Sequence, residues 1–121
     1  IDMLATDHAP HSWDEKSRGL EKSVFGIVGL ETAFPIMYTY LVKPGLLTLE
    51  RLIELMAVNP RKRFNIPMNE EDYSVWDLDA EYTVDPAEFL SMGKATPFTG
   101  WKVCGKCMAT VCDGKIVYNS L

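Results

Sequence analysis

Leu4-Ala5-Thr6-Asp7-His8-Ala9-Pro10-His11 is the stretch on which the reading of this chain turns. A short apolar, β-favouring run ends on a carboxylate, two imidazoles follow within four positions, and Pro10 stiffens the link between them. The run from Asp2 to Thr6 is consistent with a buried parallel strand, although periodicity alone does not separate so short a run from a helical segment. Pro10 just beyond it favours strand. A carboxylate at such a strand end is costly if buried alone, so Asp7 sits at the open end of the strand or is held by a cation or by hydrogen bonds. Taken by itself, an Asp here caps the next turn more often than it binds a metal. His8 and His11 are the only histidines in the chain, and two imidazoles beside a carboxylate are less often purely structural than one alone.

Outward from this stretch the sequence turns polar. Ser12 to Gly29 carries mixed charge with Gly19, Gly26 and Gly29, and reads as a loop of a length that compact domains reserve for function. Phe25-Gly26 lies in it, where a glycine allows close approach of the main chain; a plain flexible loop is the bland alternative. Lys16, Arg18 and Lys22 read as a solvated face. Leu30, Phe34, Met37, Tyr38 and Leu41 recur at helical spacing and predict an amphipathic helix over about Thr32 to Val42, with Pro35 in its first turn. Pro44-Gly45 stops it. Thr48 is the expected N-cap of a second helix burying Leu49, Leu52, Ile53 and Met56. Asn59-Pro60 reads as another cap with proline at the first helical position, opening a short helix to about Phe64.

After Ile66-Pro67 the composition shifts to strand-forming segments. Tyr73 to Leu78, Tyr82 to Val84, and the pair Trp101 to Cys112 and Lys115 to Tyr118 are expected strands, the last two joined by Asp113-Gly114, a strong hairpin signal. Two parts result: residues 1–67, with the first strand, the long loop and the helices, and residues 68–121, a β segment.

The whole chain sets outer bounds. At 121 residues and 47% hydrophobic content it can bury a core. A formal charge of -5 and a pI near 4.9 argue against nucleic acid or anionic lipid as partner. No apolar run approaches the ~20 residues that cross a bilayer, so no membrane segment is expected and a cytoplasmic location is. Cys104, Cys107 and Cys112 are odd in number and crowded, which disfavours a secreted disulfide framework. Cys104-Gly105-Lys106-Cys107 has the spacing of half a zinc site but lacks further ligands nearby, so the thiols are read as small semi-buried hydrophobes. The chain opens on Ile1, already inside a strand-like run, and is expected to be the C-terminal piece of a longer polypeptide.

Asp7-His8-Ala9-Pro10-His11 followed by Phe25-Gly26-Ile27-Val28-Gly29-Leu30-Glu31 resembles the last barrel strand and active-site loop of dihydroorotase, a metal-dependent amidohydrolase. The likeness runs on through Thr48 to Met56, Asn59 to Phe64, Asp85-Pro86, Phe89-Leu90-Ser91, Thr96 to Trp101 and Thr110 to Tyr118, and departs around Asn65 to Tyr73, where the segment is shorter than the usual glycine-rich family linker. Hydantoinases and allantoinases also keep the strand-end Asp-His, but the motif pair suits dihydroorotase better.

The resemblance implies an α/β fold: the C-terminal part of a (β/α)8 TIM-barrel amidohydrolase, its last strand and helices, plus part of a small flanking β domain. It implies reversible hydrolysis of the cyclic amide of dihydroorotate to N-carbamoyl-aspartate, a step of pyrimidine biosynthesis. Asp7 is then both metal ligand and catalytic base, His11 a substrate contact, and Phe25 and Gly26 the loop's substrate-binding backbone. His8 receives no role from the resemblance and is expected to orient the loop. Zinc is the implied cofactor of the full-length enzyme, in one or two ions. The family's His-x-His pair, its bridging acid or carboxylated lysine and its two further histidines have no counterpart here, so this chain alone is expected to be inactive. Its expected partners are the small-molecule substrate, the rest of the parent polypeptide and further copies in a homo-oligomer. The rival reading is a noncatalytic domain that kept the scaffold and lost the site.

Overall fold

A computed structural model describes residues 1–120. The first structured turn is α1, Trp13–Lys16. Helix α2, Ala33–Met37, runs on into a π-helical turn, Tyr38–Val42. Helix α3, Leu49–Ile53, continues through a second π-helical stretch, Glu54–Val58, into α4, Asn59–Phe64. Three antiparallel strands follow, β1 Tyr73–Thr83, β2 Lys102–Cys112 and β3 Lys115–Asn119, in the order β1-β2-β3.

Local chemistry explains most of these boundaries. Thr48 caps α3, its Oγ1 accepting the Arg51 N–H at 3.1 Å. Pro35 lies within the first turn of α2, where a missing N–H costs nothing. Pro60 has no N–H to give the Met56 carbonyl, and the wider π-helical turn lies immediately before it, where a regular turn would drive the ring into that carbonyl. Asn65, at φ +54, ends α4 in the left-handed conformation that asparagine tolerates. Asp113 (φ +48) and Gly114 (φ +69) form the two-residue turn that joins β2 to β3.

Several sequence expectations change. Residues 2–6 form no strand ladder: a parallel strand needs sheet neighbours, and the described strands make a separate antiparallel sheet. Leu4 N–H bonds to the Leu55 carbonyl at 2.9 Å, and among the described residues a parallel bridge joins His8 to Ile27. The long loop contains α1, announced by a Ser12…Glu15 capping box that the reading of the sequence passed over. Asn59 is no cap: it is helical, and its side-chain amide reaches the Asp2 carbonyl at 2.8 Å. The two short strands expected between Tyr73 and Val84 are one, bulged between Asp77 and Glu81. The buried face of α2 carries Pro35 and Ile36, and Ile53, expected in the core, is 47% exposed while Leu52 is fully buried.

Helix α2 packs on β2. Ile36, Val84 and Val103 form the core, ringed by Tyr82, Phe89 and Phe98. Phe34 meets Trp76 of β1 with ring centroids 4.2 Å apart. Gly105 permits this layer: at φ +90 its missing Cβ would sit 3.3 Å from the Phe34 ring and 3.4 Å from Tyr38. The accessible surface is 8641 Å². A compact monomer of 13.7 kDa exposes about 6,600 Å², so the chain shows about 2,000 Å² in excess. Ile1, Leu20, Phe25 and Met92 are all above 90% exposed, and Ile116 and Val117 of edge strand β3 lie open as well.

Candidate active site

The segment Asp7 to His11 and the segment Phe25 to Glu31 lie side by side. The Ala9 N–H bonds to the Ile27 carbonyl at 2.8 Å. His8 Nδ1 accepts the Gly29 N–H at 3.1 Å and the Leu30 N–H at 3.4 Å, so the neutral ring carries its proton on Nε2. The expectation that His8 orients the loop thus acquires a geometry: its imidazole is the acceptor for the loop's backbone. Gly26, at φ +120, approaches so closely that a Cβ would lie 2.4 Å from Ala9 Cβ and 3.3 Å from His11 Cδ2. Only glycine allows His11 and Gly26 to come together.

A third segment backs the other two. A Cβ on Gly93 would fall 2.6 Å from Pro10 Cα, and Val28 N–H bonds to the Ala95 carbonyl at 2.9 Å. Ser91 gives its N–H and its hydroxyl to Glu31 at 2.8 Å. Burial by itself would raise the Glu31 carboxyl, but the two Ser91 bonds, with nearby His8, hold it below the ordinary carboxylate range. Glu31 and Ser91 stand in the sequence reading only inside family-like segments, and Gly93 not at all, since their partners lie about sixty to eighty positions away.

Asp7 is exposed and adopts φ +47, a left-handed conformation that costs an L-residue about 1–2 kcal/mol and that aspartate tolerates better than most. Phe25 is 94% exposed, and among the described residues neither its N–H nor its carbonyl has a hydrogen-bond partner. His11 Nδ1 lies 3.7 Å from Glu15 Oε2, an ion-pair distance rather than a hydrogen bond. The Glu15 carboxyl is held below its usual value, first by the Ser12 N–H, with smaller help from the Ser12 hydroxyl and from His11. Lys16 departs from its expectation as a solvated face: its Nζ donates to the Val24 and Gly26 carbonyls, each at 2.9 Å.

No three His, Cys, Asp or Glu side chains among the described residues converge to hold a metal ion. Asp7 supplies one oxygen ligand, whereas zinc takes three or four protein ligands. The residues of this chain therefore do not by themselves fit the implied metal centre. Cys104 is buried, Cys107 half-buried and Cys112 exposed, all as free thiols. Two surface grooves, one lined by Lys43, Glu81 and Cys104 and one by Met56, Arg61 and Trp76, do not include Asp7 in their lining.

No protein-family model matches the chain. A dihydroorotase of Shouchella clausii (strain KSM-K16) is 52% identical over 125 residues, covering 98% of this chain and 29% of that protein. A dihydroorotase of Brevibacillus brevis (strain 47 / JCM 6285 / NBRC 100599) is 50% identical over 127 residues, covering 100% of this chain and 30% of the relative. Among solved structures, the L-hydantoinase (dihydropyrimidinase) of Arthrobacter aurescens superposes with a TM-score of 0.87 at 35% identity, over 98% of this chain and 29% of that one. The chain spans about three tenths of the length of the relatives it matches. Its α/β fold is that of the C-terminal part of these TIM-barrel amidohydrolases. With half of its residues shared along its whole length, the chain belongs to the dihydroorotase family, as the counterpart of the C-terminal part of those proteins.

Proposed function

We propose that this chain forms the C-terminal side of the active site in a zinc-dependent dihydroorotase, a cytoplasmic enzyme of pyrimidine biosynthesis that reversibly hydrolyses dihydroorotate to N-carbamoyl-aspartate. The observation that carries the proposal is the meeting of His11 with the Phe25-Gly26 backbone beside Asp7, sustained by His8 Nδ1 and the bare Cα of Gly26. Residues 1–67 would belong to the barrel and residues 68–121 to a flanking β domain.

The chemistry of each group follows from its form at neutral pH. Asp7, a carboxylate with open surroundings, accepts a proton from the attacking water and returns it to the departing amide nitrogen. His11 offers ring nitrogens to a carboxylate or carbonyl oxygen of the substrate, and the free Phe25 N–H and carbonyl pair with the cyclic amide. Zinc, where bound, would supply Lewis acidity, and most of its ligands would come from the remainder of the parent polypeptide. The excess surface of about 2,000 Å² supports close partners for this chain, the parent polypeptide and further copies of it.

The test is made in the full-length protein. Asp7→Asn cannot take the proton and lowers turnover by about 10²–10⁴, whereas His11→Ala acts mainly by raising KM for dihydroorotate. Equal, mild losses for the two would reduce Asp7 to a turn cap and sink the assignment.

A further inference from the structure

Helix α1 is a single turn, yet it touches both sides of the candidate site. Ser12 and Glu15 close its start reciprocally, Glu15 Oε2 accepting the Ser12 N–H and hydroxyl at 2.9 Å while Ser12 Oγ accepts the Glu15 N–H at 3.3 Å. The far end is tied to the loop by the Ser23 hydroxyl on the Lys16 carbonyl at 2.7 Å and the Val24 N–H on the Glu15 carbonyl at 3.3 Å. Two consecutive side chains then leave the turn in different directions. Glu15 faces the His11 ring, and the Lys16 ammonium spans the Val24 and Gly26 carbonyls.

The Lys16 clamp sets where Phe25 can point its backbone. In a trans peptide the N–H lies opposite the preceding carbonyl. Drawing the Val24 carbonyl onto Lys16 therefore turns the Phe25 N–H away from the ammonium, and fixing the Gly26 carbonyl restrains the next peptide but one. Between the two clamped carbonyls, the Phe25 N–H, the Phe25 carbonyl and the Gly26 N–H have no hydrogen-bond partner among the described residues. Both charge-assisted bonds are needed for this, since one carbonyl alone would leave the intervening peptides free to rotate.

We propose that Lys16 is a positioning residue that holds the Phe25-Gly26 backbone in the orientation that receives the substrate, with α1 as the brace linking that backbone to His11. The proposal rests on the reading of the site as a dihydroorotase site. Lys16 acts through the two carbonyls it holds.

Three full-length proteins are compared: wild type, Lys16→Met and Lys16→Arg. Lys16→Met keeps the apolar stem and removes both donors, and it raises KM for dihydroorotate about tenfold or more with kcat within about twofold, the pattern of lost uniform binding. Lys16→Arg keeps a charged donor and recovers most of the affinity. Amide hydrogen exchange supplies a readout independent of substrate: residues 24–27 exchange faster in Lys16→Met, not in Lys16→Arg. If Lys16→Met does not fold, Lys16→Gln, which keeps a neutral donor on a shorter stem, is measured in its place. An unchanged KM and unchanged exchange at 24–27, in a folded Lys16→Met protein, overturn the proposal. Absence of dihydroorotate turnover in the wild-type full-length protein would instead overturn the dihydroorotase reading, leaving the exchange comparison to decide the brace by itself.

Discussion

Replacing Gly26 by alanine isolates the contact on which the candidate site depends, because three glycines of this chain separate backbone strain from steric overlap. At Gly26 both act: φ is +120, and the new Cβ would lie 2.4 Å from Ala9 Cβ. Two carbons rest at about 3.5–4.0 Å, so the two segments must part by more than about 1 Å. Such a movement stretches the Ala9 N–H to Ile27 carbonyl bond, now 2.8 Å, and shifts the His11 ring. Strain at this φ costs about 1–3 kcal/mol and overpacking about 1–3 kcal/mol, against which the stiffer unfolded chain returns about 0.4–1 kcal/mol. The net loss is about 2–5 kcal/mol. Gly45→Ala is the strain-only control, with φ +79 and nothing within 4 Å, and costs about 1–2 kcal/mol. Gly93→Ala is the overlap-only control, its Cβ falling 2.6 Å from Pro10 Cα at a φ outside the left-handed region, and costs about 1–3 kcal/mol. Urea unfolding of the three full-length variants gives the order, and KM for dihydroorotate should rise in Gly26→Ala and stay unchanged in Gly45→Ala. A Gly26→Ala protein no less stable than Gly45→Ala, with wild-type KM, would refute the close approach of His11 and Gly26.

The Glu31 carboxyl, held below its ordinary value, stabilises the fold at pH above about 4.5, and that contribution disappears as pH falls through the lowered folded value. Ser91→Ala removes the hydroxyl donor and leaves the backbone N–H in place, so acid unfolding should begin at somewhat higher pH than in wild type; coincident acid transitions would contradict this. Cys112 is exposed, but its thiol is raised by Asp72 first of all, so alkylation near neutral pH should be slow for an exposed cysteine and should quicken in Asp72→Asn. Equal alkylation rates for the two proteins would argue against the Asp72 effect.

What the sequence decided by itself is what depends on neighbours along the chain. Thr48 as a cap, Pro35 within a first helical turn and Asp113-Gly114 as a hairpin turn are legible because capping and turn formation act over two to four positions. The Ser12…Glu15 box belongs to the same class and was available to the same reasoning. The Asp7 to His11 motif and the Phe25 to Glu31 motif indicated family by their wording. Their juxtaposition came only with the fold, because it depends on a glycine's missing Cβ, on an imidazole acceptor 21 positions from its donor, and on a lysine that looked solvated until the carbonyls of Val24 and Gly26 were placed around its ammonium. The same holds for residues 2–6. Their composition suits a buried strand, but a strand is completed by main-chain hydrogen-bonding neighbours, and among the described residues that run makes one bond between backbones, from Leu4 to Leu55. Local propensity acts through bonds within a turn of chain, whereas register, burial and the convergence of a site are set by which distant surfaces meet, and only the tertiary structure decides that.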